Sequence, residues 1–214
     1  MPNHVRTSLI FTGNAEEIKN LRKKVETEDN YFDFNAIVPE PKELLDRQPD
    51  TEDEKTKELV AKYGFDNWYD WRRYNWGTKW NQYGEEFYEE GWVTDNEVQI
   101  VTAWSCPGAV LIALSKMFPN ITISYMFADE DAGYNVGRGK IHNGEVEAEN
   151  IKEASEMAFD IYFELHPEME EDYTIEPNGD GTFSVVEREC EDEEEEDDME
   201  EEEEEDDIEE EEEE

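Results

Sequence analysis

Basic side chains are scarce in this chain: 18 Lys and Arg stand against 62 Asp and Glu, a formal charge of -44 over 214 residues. That balance works against non-specific attraction to nucleic acid or anionic membranes and favours basic partners. Cysteine is scarcer still. Two thiols, Cys106 and Cys190, make no disulfide framework and cannot supply the four thiolates of an iron–sulfur cluster. A reducing, cytoplasmic setting is expected. The three histidines, His4, His142 and His166, lack metal-ligand spacing. No apolar run approaches the roughly 20 residues that span a bilayer. The opening "MPNHVRTSLIF" lacks the charged start and long apolar stretch of a signal peptide.

What is abundant is acid, and it is unevenly spread. Residues 189–214 are all Asp or Glu except Cys190, Met199 and Ile208, giving -23. Residues 1–188 hold 39 acids and 18 bases, so their net charge is -21. So many like charges with so few apolar groups predict a disordered tail.

Along residues 1–188 the pattern alternates between strand and helix. In "HVRTSLIFTG", Val5, Thr7, Leu9 and Phe11 alternate as a half-buried strand. In the following "NAEEIKNLRKKVE", Asn14 is a natural cap, and Ile18, Leu21 and Val25 share one helical face. "YFDFNAIVPEP" reads as a second strand stopped by Pro39 and Pro41. A short helix ends at Gly64, and another runs from Asp66 to about Trp76 with Gly77 as its stop. Residues 78–91 fit strand and loop equally.

"NEVQIVTAW" is a strand, "SCPGAVLIALSKMFP" a helix from near Pro107 with Ser105 as cap, and "NITISYMFA" another strand. Asn143-Gly144 marks a hairpin turn. "NIKEASEMAFDIYFELH" predicts a helix with Ile151, Ala154, Ala158, Ile161 and Leu165 inward, and a small hairpin around Asn178 to Gly181 follows.

Two strand–helix–strand units on one antiparallel sheet define an α+β, ferredoxin-like split β-α-β arrangement with helices on one face. The expected organisation is a ferredoxin-like domain over residues 1–150 with a helical insertion at about 54–92. A C-terminal helix and hairpin occupy 151–188, and the disordered polyacidic tail occupies 189–214.

"FDFNAIVPEP", "NWGTKWN" and "TAWSCPGAVLIALSKMFP" resemble the YubB-like family of plasmid and phage proteins over roughly Val5 to Glu149. The resemblance implies a ferredoxin-like domain and a mobile-element origin, but no reaction. It assigns Cys106 no role.

The stretch "NWYDWRRYNWGTKWNQYG" concentrates the candidate sites. Phe65, Trp68, Trp71, Trp76 and Trp80 are expected to fill the open side of a small core, since indoles bury large areas. The alternative is a stacking platform in which Arg72, Arg73 and Lys79 face phosphates or carboxylates beside Trp76 and Trp80. A second basic island is Lys19, Arg22, Lys23 and Lys24. Either island is a solvated face, or a receptor for an acidic segment of a partner or of the chain's own tail. Arg72 and Arg73 offer the better grip, because guanidinium forks match carboxylates.

Enzyme signatures are lacking. Cys106 at a helix start is the one candidate nucleophile, with a structural cysteine favoured. "GRGK" at Gly137–Lys140 precedes a hairpin rather than a helix, so it is no phosphate loop. Calcium-loop spacing is absent, and no cofactor is expected.

The resulting expectation is a non-enzymatic binding protein. It would present carboxylates to a basic protein such as a host defence or DNA-metabolism factor, in the manner of a polyanion. The alternatives are a nucleic-acid-binding module using the Trp/Arg-rich segment, and a small-ligand or catalytic pocket near Trp76, Trp80 and Trp104.

Overall fold

Residues 2–83 and 91–188 are described by the computed structural model. The expected tail disorder at 189–214, tail docking, and part of the undecided 78–91 stretch lie outside them.

β1 (His4–Thr12) leads into α1 (Ala15–Val25). Asn14 accepts hydrogen bonds from the backbone N–H groups of Glu16 and Glu17, and Ile18, Leu21 and Val25 are buried, as the sequence spacing requires. The second strand expected over residues 31–41 does not form. Phe34–Ile37 make a one-turn helix, α2, capped by Asp33. Asn81 explains the difference: its Oδ1 accepts from Phe34 N at 3.0 Å and its Nδ2 donates to Asp33 Oδ1 at 2.7 Å. The aromatic alternation here places Phe32 and Phe34 in the core without a strand partner.

α3 (Thr56–Tyr63) and α4 (Trp68–Asn75) follow, ending near Gly64 and Gly77, which take φ of +80° and +83°. There the missing side chain permits left-handed backbone. Only then comes the second strand, β2 (Trp92–Thr94), followed by β3 (Glu97–Ala103), α5 (Gly108–Met117), β4 (Thr122–Asp129), and the hairpin β5 (Gly137–His142) and β6 (Glu145–Ala148). Ser105 does not cap α5; its hydroxyl donates to Gly77 O at 2.6 Å instead.

The six-stranded sheet has the order β2-β3-β1-β4-β5-β6, and every neighbouring pair is antiparallel. β1 and β2 are therefore parallel with β3 between them, and β3 and β4 are parallel with β1 between them. Two interlocked split β-α-β units are the ferredoxin-like topology. β5 and β6 extend it at one edge, and the insertion sits between α1 and β2.

One sheet face carries Leu9, Phe11, Val98, Ile100, Ile123 and Ile141 against α1 and α5, forming the main core. α6 (Glu156–Leu165), capped by Ser155, starts later than the sequence spacing suggests, leaving Ile151 and Ala154 ahead of it. It packs on the opposite face, where Ile161, Tyr162 and Leu165 meet Ala128. Arg6 locks this contact, donating to Leu165 O at 3.0 Å and pairing with Glu168 at 2.5 Å. Helices therefore cover both faces: α1 and α5 are the crossover helices of the two split β-α-β units, and α6 follows them in the chain. A separate hairpin, β7 (Tyr173–Pro177) and β8 (Phe183–Glu187), is tied to the segment before α6 by Phe183 N donating to Ala154 O at 2.8 Å.

Candidate functional site

Asn67 caps α4 by accepting from Asp70 N at 2.9 Å, and the helix turns Trp71 inward. Trp76 is 1% exposed. Its ring meets Phe34 and Trp71 edge-on, and its Nε1 donates to Val38 O at 2.9 Å. As an interaction residue Trp76 is therefore ruled out, because it is core. Arg72 is corrected in the same way. Its Nε and Nη2 donate to Glu40 Oε2 at 2.9 and 2.7 Å, and its guanidinium lies about 5 Å from the Trp68 and Trp76 rings. The Glu40 side chain is 1% exposed. This charge pair fastens the insertion and already occupies the Arg72 guanidinium. Glu40, 32 residues upstream, was not singled out in the sequence, because nothing local marks one acid among 62 as the buried one.

Arg73 remains exposed, 5.5 Å from the Tyr69 ring. Lys79 is half-buried between Trp80 and Trp104, its ammonium 4.2 and 4.9 Å from their rings. Trp104 takes φ +67°, held by donating its N–H to Asn3 O and accepting from Asn135 Nδ2. The structure brings Trp80 and Trp104 together across Lys79, whereas Trp76 is buried in the core. Thr78 Oγ1 donates to Ala103 O at 2.8 Å, completing a joint between "NWGTKWN" and "TAWS". The two most distinctive sequence blocks are thus halves of one structural contact.

On α1, Arg22 Nε pairs with Glu26 at 2.6 Å and its guanidinium lies 4.6 Å from the Trp92 ring. Lys19, Lys23 and Lys24 are exposed. The recess beside them, about 700 Å³, is lined by Lys19, Arg22 and Lys23 but equally by Glu16, Glu26 and Asp95. Its charge is balanced, which weakens it as a receptor for acid.

Cys106 is half-buried, and burial pushes its thiol up to about 12, which disfavours the thiolate that nucleophilic attack requires. Among the described residues no group of His, Cys, Asp or Glu is placed to hold a metal ion, and no helix is long and apolar enough to cross a membrane.

A further recess lies on the second sheet face, beside α6. It measures about 540 Å³, with Ser8, Ile10 and Met126 among its lining residues and Glu97, Glu147, Glu149 and Glu164 contributing carboxylates. Arg138 and Lys140 sit among them, Arg138 donating to Glu149 at 2.9 Å with Glu164 and Asp160 adding weaker attraction, and Lys140 lying across from Glu147. Glu156, Asp160 and Glu164 recur every four residues along the exposed side of α6, which contains no base. Between residues 145 and 187 stand 14 acids and one base, Lys152.

Residues 75–174 match the family described as the ferredoxin-like domain in Api92-like protein. The chain carries a ferredoxin-like domain. The match begins at the joint around Gly77, takes in the β2–β6 sheet and α6, and ends within β7. The acidic face of α6 is thus part of the matched domain, whereas β1, α1 and most of the insertion precede it. No curated protein and no solved structure matches the chain.

Proposed function

We propose that this ferredoxin-like protein is a non-enzymatic acidic binding protein of phage or plasmid origin. It acts in the cytoplasm of a bacterial host, where its carboxylates engage a basic, nucleic-acid-handling protein as a polyanion would. The observation that carries the reading is the exposed Glu156–Asp160–Glu164 stripe beside the carboxylate-lined recess, in a 43-residue stretch with a single lysine. The tail adds -23 at a linear density close to that of one nucleic-acid strand. Extended peptide advances about 3.3–3.6 Å per residue and a strand places a phosphate about every 3.4 Å. Neutralising such an array releases counterions, so binding weakens with salt. The mobile-element origin is supported by the resemblance of "NWGTKWN" and "TAWS" to plasmid and phage proteins.

The test is capture from host lysate with immobilised wild-type protein and with E156K/D160K/E164K. A basic nucleic-acid-binding protein should be retained by the wild type, released by excess duplex DNA or moderate salt, and lost with the triple variant. Retention that resists both competitors, or that is unchanged in the triple variant, overturns the proposal. A labelled single-stranded oligonucleotide should not bind the protein itself; saturable binding would point to the Trp80–Trp104 region instead.

A further inference from the structure

β6 is the outer strand of the six-stranded sheet, and all four of its residues are exposed. The Asn143–Gly144 turn, with φ of +48° and +84°, makes His142 and Glu145 the pair that closes the hairpin. Alternation of bonded and non-bonded pairs then turns the N–H and C=O groups of Val146 and Ala148 outward. The 3.0 Å bond from Glu149 N to Arg138 O fits the same alternation. Among the described residues no strand pairs with this outer edge.

The two sides of the edge differ in chemistry. Glu145 and Glu147 project to the face shared with α6, where Lys140 is the cross-strand neighbour of Glu147. Val146, 47% exposed, projects to the other face. Beside it lies a recess of about 260 Å³ lined mainly by Leu111, Ile112, Tyr125, Phe127 and Ile141. An added strand therefore meets carboxylates on one face and an apolar hollow on the other. A second copy of β6 is a poor occupant, because it would set glutamates against glutamates on one face.

We infer that the β6 edge receives an extended segment of the basic partner with alternating Lys or Arg and aliphatic residues, by strand addition. The cations face Glu145 and Glu147, and the aliphatic side chains face Val146 and its recess. Main-chain bonds to Val146 and Ala148 supply affinity, and the alternation supplies selectivity. This inference rests on the acidic-binding reading and names where and how the partner docks.

The probe is a fluorescein-labelled octapeptide of alternating lysine and valine, followed by anisotropy. The same peptide N-methylated on alternate amides keeps charge and side chains but removes the main-chain donors. Wild-type protein should bind the parent peptide and lose about tenfold or more in affinity for the N-methylated one. Val146→Pro removes only an outward N–H, which an edge strand tolerates, and should weaken the parent peptide comparably. E145Q/E147Q should weaken it severalfold and flatten its salt dependence, whereas E156K/D160K/E164K should alter it less than about threefold.

Equal binding of parent and N-methylated peptides overturns the inference whether or not Val146→Pro folds, and so does an absence of parent binding. A wild-type dimer that Val146→Pro abolishes would show that the edge serves self-pairing instead. In each of those cases lysate capture by the α6 stripe can still succeed, so failure here and failure of the acidic-binding reading remain separate results.

Discussion

Arg72 and Glu40 carry the clearest consequence at the residue scale. The pair is half-sunk among Trp68, Trp76 and Val38, so removing the guanidinium leaves a buried carboxylate without its counter-charge. Breaking such a pair costs about 3–5 kcal/mol, while replacing both members with apolar groups can restore much of it. Arg72→Ala should lower the urea midpoint of unfolding accordingly, and Arg72→Met with Glu40→Leu should recover most of the loss. His166 gives a pH dependence. It stacks on Tyr162 at 4.5 Å, and burial, aided by nearby Arg6, pushes its pKa down to about 4.

The unfolded imidazole titrates near 6.5, so between about pH 6.5 and 4 the unfolded state binds a proton that the folded state refuses. Stability from this group is full above pH 6.5 and falls as pH drops through that window, by roughly 2 kcal/mol at pH 5. Acidification also relieves repulsion among carboxylates, so the useful quantity is the difference from His166→Leu. Its Nε2 has no hydrogen-bond partner, while Nδ1 lies 3.8 Å from Glu168 and the Ala128 backbone also favours the charged ring, so the difference reports these contacts together with burial. Between about pH 7.5 and 5 the wild type should lose more thermal stability than His166→Leu.

At the scale of elements, the β5–β6 hairpin depends on Gly139. A Cβ there would stand 2.3 Å from Glu147 O and 2.8 Å from the Tyr125 hydroxyl, so β6 would have to shift. Gly139→Ala should cost about 1–3 kcal/mol and speed hydrogen exchange at the Lys140 and Glu147 amides before the rest of the sheet. How much of the fold was legible in the sequence differs by element for physical reasons. β1, α1, α3, α4, α5 and the Asn143–Gly144 hairpin show their periodicity or their stop residue locally, at Asn14, Gly64 and Gly77. The segment around Phe34 misleads, because its alternating aromatics are buried against the insertion and its backbone is claimed by Asn81, 47 residues on.

β2 is too short at three residues to show a period, so the second strand of the first split unit leaves no local signal in the sequence. The position of α6 on the opposite sheet face depends on Arg6 reaching Leu165 across 159 residues, which no local pattern encodes. The candidate site divides in the same way. The abundance of acid was plain from composition, but its gathering along α6 and β6 required the tertiary structure. Of the eye-catching side chains of residues 68–80, Trp71 and Trp76 prove to be core and Arg72 is tied to buried Glu40, whereas Trp68 and Trp80 are half-buried and Arg73 is exposed.

At the scale of the molecule, the acidic surplus is the property that function has to use. Among bases in ion pairs, Arg6, Arg22, Arg47, Lys62, Arg72 and Arg138 are each tied to a neighbouring carboxylate outside the α6 stripe, and Arg138 offsets Asp160 and Glu164 only in part. Deleting residues 189–214 halves the formal charge, from -44 to -21. The truncated protein should keep the circular dichroism of the folded body while binding the captured partner more weakly and with a shallower salt dependence. Nuclear magnetic resonance shifts at Lys19, Lys23 and Lys24 on truncation test whether the tail also folds back on α1. With Arg22 and Arg72 already paired, those lysines are where movement should be largest.

The most direct measurement is the affinity of the captured partner for the full-length protein as a function of salt concentration. Counterion release predicts a straight, steep fall of log affinity with log salt, losing on the order of tenfold or more from 50 to 200 mM, with a smaller slope for E156K/D160K/E164K. An affinity that stays constant across that range, with the same slope in the variant, would contradict the claim that exposed carboxylates make the contact.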